Sequence, residues 1–430
     1  MSGCFDVFST ELLIYIFNYL EINELSRLRL TCRRFRDIIN AWDNVLIKTT
    51  TIVTNQNNDK FLTRCFSKIP TKLEKLRLQN NWKYGIYNEK SLFYVRKKYM
   101  PCLKLQKDYL WFSRGSKIFN YKRDKNNIIV TKPNFVLTPQ YRQSCVNVGF
   151  SSADVTKFTL RNNILVGGLS DGGVYVQNLV DRNEYYIDKA ENTFTCSVDI
   201  SPDSLVVASG MRNDCFKMFS LQQDPLELTL IHTHNLGQRA WCVSFSDDSP
   251  ILACGTSAGG PTRKSILLFD TERYTEVLNL KLVQFISATF YIKWDGPHGI
   301  WSCGNDSHLR RWDLRTGKCE QKFHDAFGAG LYCLDYDYCN SVMVGTYLHG
   351  RAALWDIRTK RCVQLYFMRT CKGSTLNSPI YSLSFDSEYL FAAVDQNLNI
   401  MDFSGYGRQP MRDYVKIIYR QTSPKIKCHM

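Results

Sequence analysis

Apolar positions recur at helical spacing over the first 45 residues and alternate in short strand-like runs from about residue 100 onward. In TELLIYIFNYL, Thr10 to Leu20, residues Leu13, Ile16, Phe17 and Leu20 form one helical stripe, while Leu12, Tyr15 and Tyr19 cover much of the opposite side. A surface helix normally keeps a single apolar stripe, so a second surface must bury the rest. Asn23 is the expected N-cap of a second helix carrying Leu25 and Leu28. A third segment, CRRFRDIINAW, places Phe35, Ile38, Ile39 and Trp42 on one face. Three short helices cannot cover this much apolar surface by themselves.

The second half of the pattern is a repeat. WCVSFSDDSPILACG, YIKWDGPHGIWSCGN, YCLDYDYCNSVMVGT and YSLSFDSEYLFAAVD each read as strand, polar turn, strand, and a third strand follows in ILLFD, LRRWD, AALWD and LNIMD. The first strands end at Leu105, Leu160, Ile200, Phe245, Trp294, Tyr336 and Phe385, so the period runs from 40 to 55 residues. Four strands per unit at such a period predict a β-propeller, and seven units close a ring. A lone blade cannot bury both faces, so blades must stack. The last blade also needs an outer strand, because an open edge invites aggregation. Ser91–Arg96, before the first blade, is the preferred source, and Tyr414–Tyr419 is the alternative.

Composition changes this picture little. The chain has 430 residues, 44 % hydrophobic and 22 % charged, as in ordinary globular proteins. The opening MSGCFDVFS lacks signal-peptide features, and no apolar run approaches the ~18 residues of a membrane span. A cytoplasmic or nuclear location is therefore expected. None of the 16 cysteines forms a CxxC pair, and no His/Cys spacing suits zinc. Cys242 and Cys333 occupy equivalent repeat positions and read as small core residues. Neither metal nor cofactor is expected.

Charge is uneven. The net charge is +15, yet between Asp59 and Lys125 there are 18 Lys and Arg against 5 Asp and Glu. The basic window interleaves with apolar residues as a solvated face does, and no nucleic-acid motif accompanies it, so a nucleic-acid partner is not expected.

Trp312–Asp313 and Trp355–Asp356, with Phe269–Asp270 and Met401–Asp402 in the same phase, resemble the WD40 repeat, although the Gly-His that commonly opens such repeats is missing. Asp171, Asp214 and Asp306 are expected to serve turn geometry. The helical front end, with LRLTCRRF at its centre, resembles the F-box, although Val7–Phe8 replaces the usual opening Leu-Pro. Together the modules resemble the F-box/WD40-repeat substrate receptors of cullin-based ubiquitin ligases. The expected fold is thus an all-β seven-bladed WD40-type propeller preceded by a small α-helical F-box module. Residues 1–45 are read as the F-box, 46–99 as a basic linker holding the closing strand, 100–404 as the propeller and 405–430 as a tail.

The resemblance implies a non-catalytic adaptor. Phe8, Leu12, Leu13, Ile16, Phe17, Leu20, Leu25, Leu28, Cys32 and Phe35 would bind the Skp adaptor, and through it the cullin, burying the spare face of the first helix. The propeller would hold a protein substrate, either acidic or phosphorylated, with Arg114, Arg212, Arg239, Trp241, Arg263 and Tyr347 as the candidate contacts, since Arg and aromatics dominate interface hot spots. The loop Gly255–Ser265 is the expected specificity element. No nucleophile motif, metal spacing or phosphate loop points to an enzyme. The alternative is a WD40 scaffold acting outside the ubiquitin system.

Overall fold

The computed structural model describes residues 8–17, 19–20, 22–41, 52–69, 71–95, 97–124, 132–139, 153–187, 193–259, 264–281, 287–359, 362–368 and 378–405. Among these, five helices precede or flank seven four-stranded antiparallel sheets. Blades 1 to 6 each take four consecutive strands and span residues 103–137, 155–187, 195–235, 240–281, 289–324 and 331–367.

Blade 7 combines three strands between residues 380 and 402 with Asn88–Tyr94, which pairs antiparallel with Asn397–Asp402 on the outer edge. The N-terminal chain therefore clasps the C-terminal blade. The clasp lies three residues earlier than Ser91–Arg96 at its start, and Leu92 and Phe93 pack onto the core shared by blades 7 and 1. Tyr414–Tyr419 falls outside the described residues.

The aspartates that end the third strands close turns. Asp313 accepts the backbone N–H of Arg315 at 3.0 Å, Asp356 that of Arg358 at 3.0 Å and Asp270 that of Glu272 at 2.8 Å. Trp312 donates its indole N–H to Ser302 Oγ at 2.8 Å within the same blade. Cys242 and Cys333 are buried at matching positions. Each faces a glycine of the neighbouring strand, Gly255 or Gly345, whose Cβ would come within 2.5 or 2.6 Å of the sulfur. Blades 4 and 6 thus solve one packing problem with the same residue pair.

At the front, helix α1 (Thr10–Phe17) is capped by Ser9, whose Oγ accepts the Leu12 N–H at 3.3 Å. Helix α2 is Ile22–Leu28, so Asn23 lies inside it and is not its cap. Helix α3 is Arg33–Ala41, with Phe35 N–H directed at Cys32 Sγ. Trp42 falls outside the described residues.

The segment expected as a linker instead holds two further helices, α4 (Asp59–Leu62) and α5 (Lys72–Tyr84). Thr71 caps α5 by accepting the Glu74 N–H, and Gly85 ends it in the left-handed region at φ 65°, where Ile86 N–H reaches Asn81 O at 2.8 Å. The apolar residues of α5 face two ways. Leu73 joins the core of α1–α3, whereas Leu78 and Trp82 enter the core of blades 6 and 7. Trp82 is fully buried, stacks on Phe403 at 3.7 Å and donates to Ser387 O at 2.9 Å. Arg29 reinforces the join by bonding Thr71 Oγ1 at 3.2 Å and pairing with Glu74 at 3.5 Å. One helix therefore ties the helical module to the ring.

Residues 52–69 lie across one end of the ring, where the turns between first and second strands open. Val53 N–H bonds Ser341 Oγ at 2.7 Å, Ser67 Oγ bonds Glu388 Oε2 at 2.6 Å and Lys60 pairs with Asp247 at 2.8 Å. Arg64 enters the channel and pairs with Asp335, which also holds Lys293 and Ser384 Oγ. Burial opposes the charge on Asp335, but Arg64 and Lys293 hold its carboxyl well below the usual range. Arg123 pairs with Asp386 and donates to Arg64 O at 2.8 Å. Lys60, Arg64 and Arg123 of the basic window thus help to stopper this bottom end.

Candidate functional site

Two surfaces remain, and each is built by the fold in a definable way. On the helical module, Leu13, Phe17, Leu25 and Phe35 pack inward with Ile38, Ile39 and Leu73. These four expected adaptor contacts therefore shape the module from within and present no surface. Phe8, Ile16, Leu20 and Leu28 are half-buried around that core, and Cys32 is exposed as a helix cap. The open apolar surface comprises Leu12, Tyr15, Tyr19 and Leu30, at 43, 60, 73 and 76 % exposure. Of these, Leu12 is the expected contact; the two tyrosines were legible only as the helix's spare face. Tyr15 and Tyr19 stack edge-to-face at 5.4 Å, one turn apart.

The second surface is the open top of the ring, where the inner strands begin. In blades 2 to 7 the pairing of the inner strand slips at one place: Val155/Lys157, Thr195/Ser197, Ala240/Cys242, Thr289/Tyr291, Leu331/Cys333 and Ile380/Ser382. The residue skipped in each case, Thr156, Cys196, Trp241, Phe290, Tyr332 or Tyr381, lines the cavity at the channel mouth. A bulge leaves one residue unpaired and re-aims its side chain. Six repeated bulges thus deliver one side chain per blade to the mouth.

In blades 4 to 7 those side chains are aromatic and touch in sequence. Trp241–Phe290, Phe290–Tyr332 and Tyr332–Tyr381 all have ring centroids 5.4 Å apart. Tyr347 extends the arc outward by stacking on Tyr332 at 6.2 Å, and the Arg239 guanidinium lies over Trp241 at 4.7 Å. Arg212 is exposed beside the mouth, and with Arg239 it acts on Cys196 electrostatically, although burial dominates and pushes that thiol up to about 12.

Arg114 is directed elsewhere. Its guanidinium rests on the Phe93 and Phe119 rings at 4.7 and 5.0 Å, against the clasp. Lys264, at the end of the expected specificity loop, pairs with Glu276 at 2.8 Å, and His349 is buried. Arg263 falls outside the described residues. Trp241 is the single member of the arc expected from sequence among the bulged residues. The other three were visible as the aromatic that opens each of FYIKW, YCLDY and YSLSF.

Among the described residues, no group of His, Cys, Asp or Glu could hold a metal ion. Residues 10–48 match the F-box-like family. Over 402 residues, 91 % of this chain, the sequence is 26 % identical to mouse F-box/WD repeat-containing protein 4, of which 92 % is covered. The human protein of the same name is also 26 % identical over 402 residues, with 91 % of it covered. The likeness spans the F-box-like module and the ring together.

Proposed function

We propose that the protein is the substrate-recognition subunit of a Skp–cullin–F-box ubiquitin ligase. The F-box-like module docks the Skp adaptor, and the top of the ring holds the protein to be ubiquitinated. Among such receptors we place it near dactylin, on Asn81–Trp82, Met100–Pro101, LYCLDY, RRWDLRT, SPIYSLSF and LNIMDF. The observation that carries this reading is the uncovered face of α1: Leu12, Tyr15 and, just past its end, Tyr19 stand exposed on an otherwise packed three-helix module. Such a patch marks a protein interface.

The chain acts by position. The adaptor and cullin bring the transfer machinery, and α5 fixes the module to the ring, so that a bound substrate's lysines sit at high effective concentration. Arg212 and Arg239 at the rim, with Trp241 and Tyr347, are the proposed substrate contacts, and the receptor works in the cytoplasm or nucleus.

The test is direct binding of purified adaptor to the full chain and to a Leu12→Lys/Tyr15→Glu/Tyr19→Glu variant. Charges forced into a desolvated apolar interface cost several kcal/mol, so the variant loses affinity on the order of 100-fold or more. Its ring melts as the wild type does. Unchanged adaptor binding by the variant sinks the proposal and leaves a scaffold outside the ubiquitin system.

A further inference from the structure

Beneath the aromatic arc lies a lysine that crosses the ring. Lys157 rises from blade 2, lines the cavity at the mouth and places its ammonium over the Tyr291 ring of blade 5 at 4.3 Å. It acts electrostatically on Cys242, Cys303 and Cys333 of blades 4, 5 and 6, which places its charge near the channel axis. Among the described residues, no carboxylate lies within ion-pair distance of Lys157, unlike Lys293 deeper in the channel, which is satisfied by Asp335. Lys104 adds a second channel cation, whose pKa burial lowers while Asp199 opposes that effect. Below both, Arg64 closes the bottom. Any ligand for this charge must therefore come from the top, past the arc.

The arc and the lysine select a ligand between them. Four aromatic rings around an opening could cage a cation, but Lys157 beneath them and Arg239 already on Trp241 repel one. The charge calls for an anion. Phosphate is best read by converging guanidinium forks; here the Arg239 guanidinium is already held over an indole, and a lone ammonium faces the opening. One ammonium matches one carboxylate. The half-buried rings of Trp241, Phe290, Tyr332 and Tyr381 offer apolar area that only an apolar side chain covers.

We propose that the channel mouth is a recognition pocket for an extended protein segment in which an aromatic or branched aliphatic residue sits next to Asp or Glu, unmodified. The apolar side chain lies along the Trp241–Phe290–Tyr332–Tyr381 arc and the carboxylate reaches Lys157. This rests on the reading of the ring top as a substrate face, and it names what that face reads. The bulges supply the design: the unpaired residue that re-aims each ring recurs at one position in successive blades, so the arc is a built feature of the repeat.

The test uses the purified full chain on a synthetic peptide array in which a Ser/Gly host carries every pairing of one apolar residue with Asp, Glu, Asn, Lys or phosphoserine. Wild-type protein is expected to retain aromatic–Asp and aromatic–Glu peptides at least tenfold over Asn and Lys counterparts. Lys157→Met should erase the preference for acid, and Phe290→Ala with Tyr332→Ala should erase the preference for the apolar neighbour. A preference for phosphoserine over Asp, for Lys, or one unaltered by Lys157→Met overturns the proposal. If the ring of Lys157→Met melts lower, Lys157→Arg, which retains the charge, must keep the acid preference; its loss there also counts against the pocket. Adaptor binding is measured in parallel. Adaptor bound with array preferences indifferent to the mouth variants defeats the pocket alone; acidic peptides selected without adaptor binding defeat the ligase reading alone.

Discussion

Single side chains decide whether the channel has one open end or two. Arg64 is nearly fully buried beside Asp335, and its removal takes one charged partner from a carboxylate that keeps Lys293 and Ser384 Oγ. Arg64→Met should therefore destabilise the ring by about 1.5–3 kcal/mol, the worth of a charge-assisted hydrogen bond, read as a lower melting midpoint, with adaptor binding by the helical module unchanged. His234 sets a different sensitivity. Burial, then the neighbouring His232, depresses its pKa to about 4, and its Nε2 is buried with no hydrogen-bond partner among the described residues. A histidine depressed in the fold takes up a proton more readily when unfolded. Its contribution is therefore present above about pH 6.5 and is lost as pH falls from there through about 4. His308 and His349 are lowered in the same direction by burial. The melting midpoint should drop over that window, and His234→Phe, stacked on Phe216 as the imidazole is at 4.6 Å, should flatten part of the drop.

At the level of elements, the clasp is the outer strand of blade 7. Lys90→Pro with Phe93→Asp removes a ladder position opposite Ile400 and charges a ring that packs against Phe112 at 5.1 Å. That variant should aggregate on mild heating, while removal of residues 1–51 should leave a soluble ring, because Ile52, Val53 and Phe61 then keep their places in the core. Light scattering during a thermal ramp separates the two outcomes. The ring was legible in the sequence because seven units repeat one pattern, and Trp312–Asp313 and Trp355–Asp356 fix its phase. Helix α5 was not legible, because Leu73 and Trp82 face different modules and leave no single apolar stripe for a periodicity to reveal. Asn23 misled because a good capping residue also follows a good helix start. In the candidate adaptor site, helical spacing identified which residues are apolar; it could not say that Leu13 faces in and Tyr15 out until α3 and α5 had taken one side.

At the scale of the whole molecule, the parts form an ordered device. A helical module with an uncovered apolar face is fixed by α5 to a ring stoppered below and open above. Trp82 is the pivot, and Trp82→Ala should cost about 3–5 kcal/mol, since it takes the indole donor from Ser387 O and the stacked ring from Phe403. Limited proteolysis should then cut near residue 70 far faster than in the wild type. The most direct test of the receptor assignment compares proteins captured from cells by the full chain and by the Leu12→Lys/Tyr15→Glu/Tyr19→Glu variant, with ubiquitin remnants quantified on each. The account predicts that both forms hold a shared set of proteins, that only the wild type brings adaptor and cullin, and that the shared proteins carry ubiquitin with the wild type and accumulate unmodified with the variant. Equal modification and abundance of those proteins with both forms would contradict it.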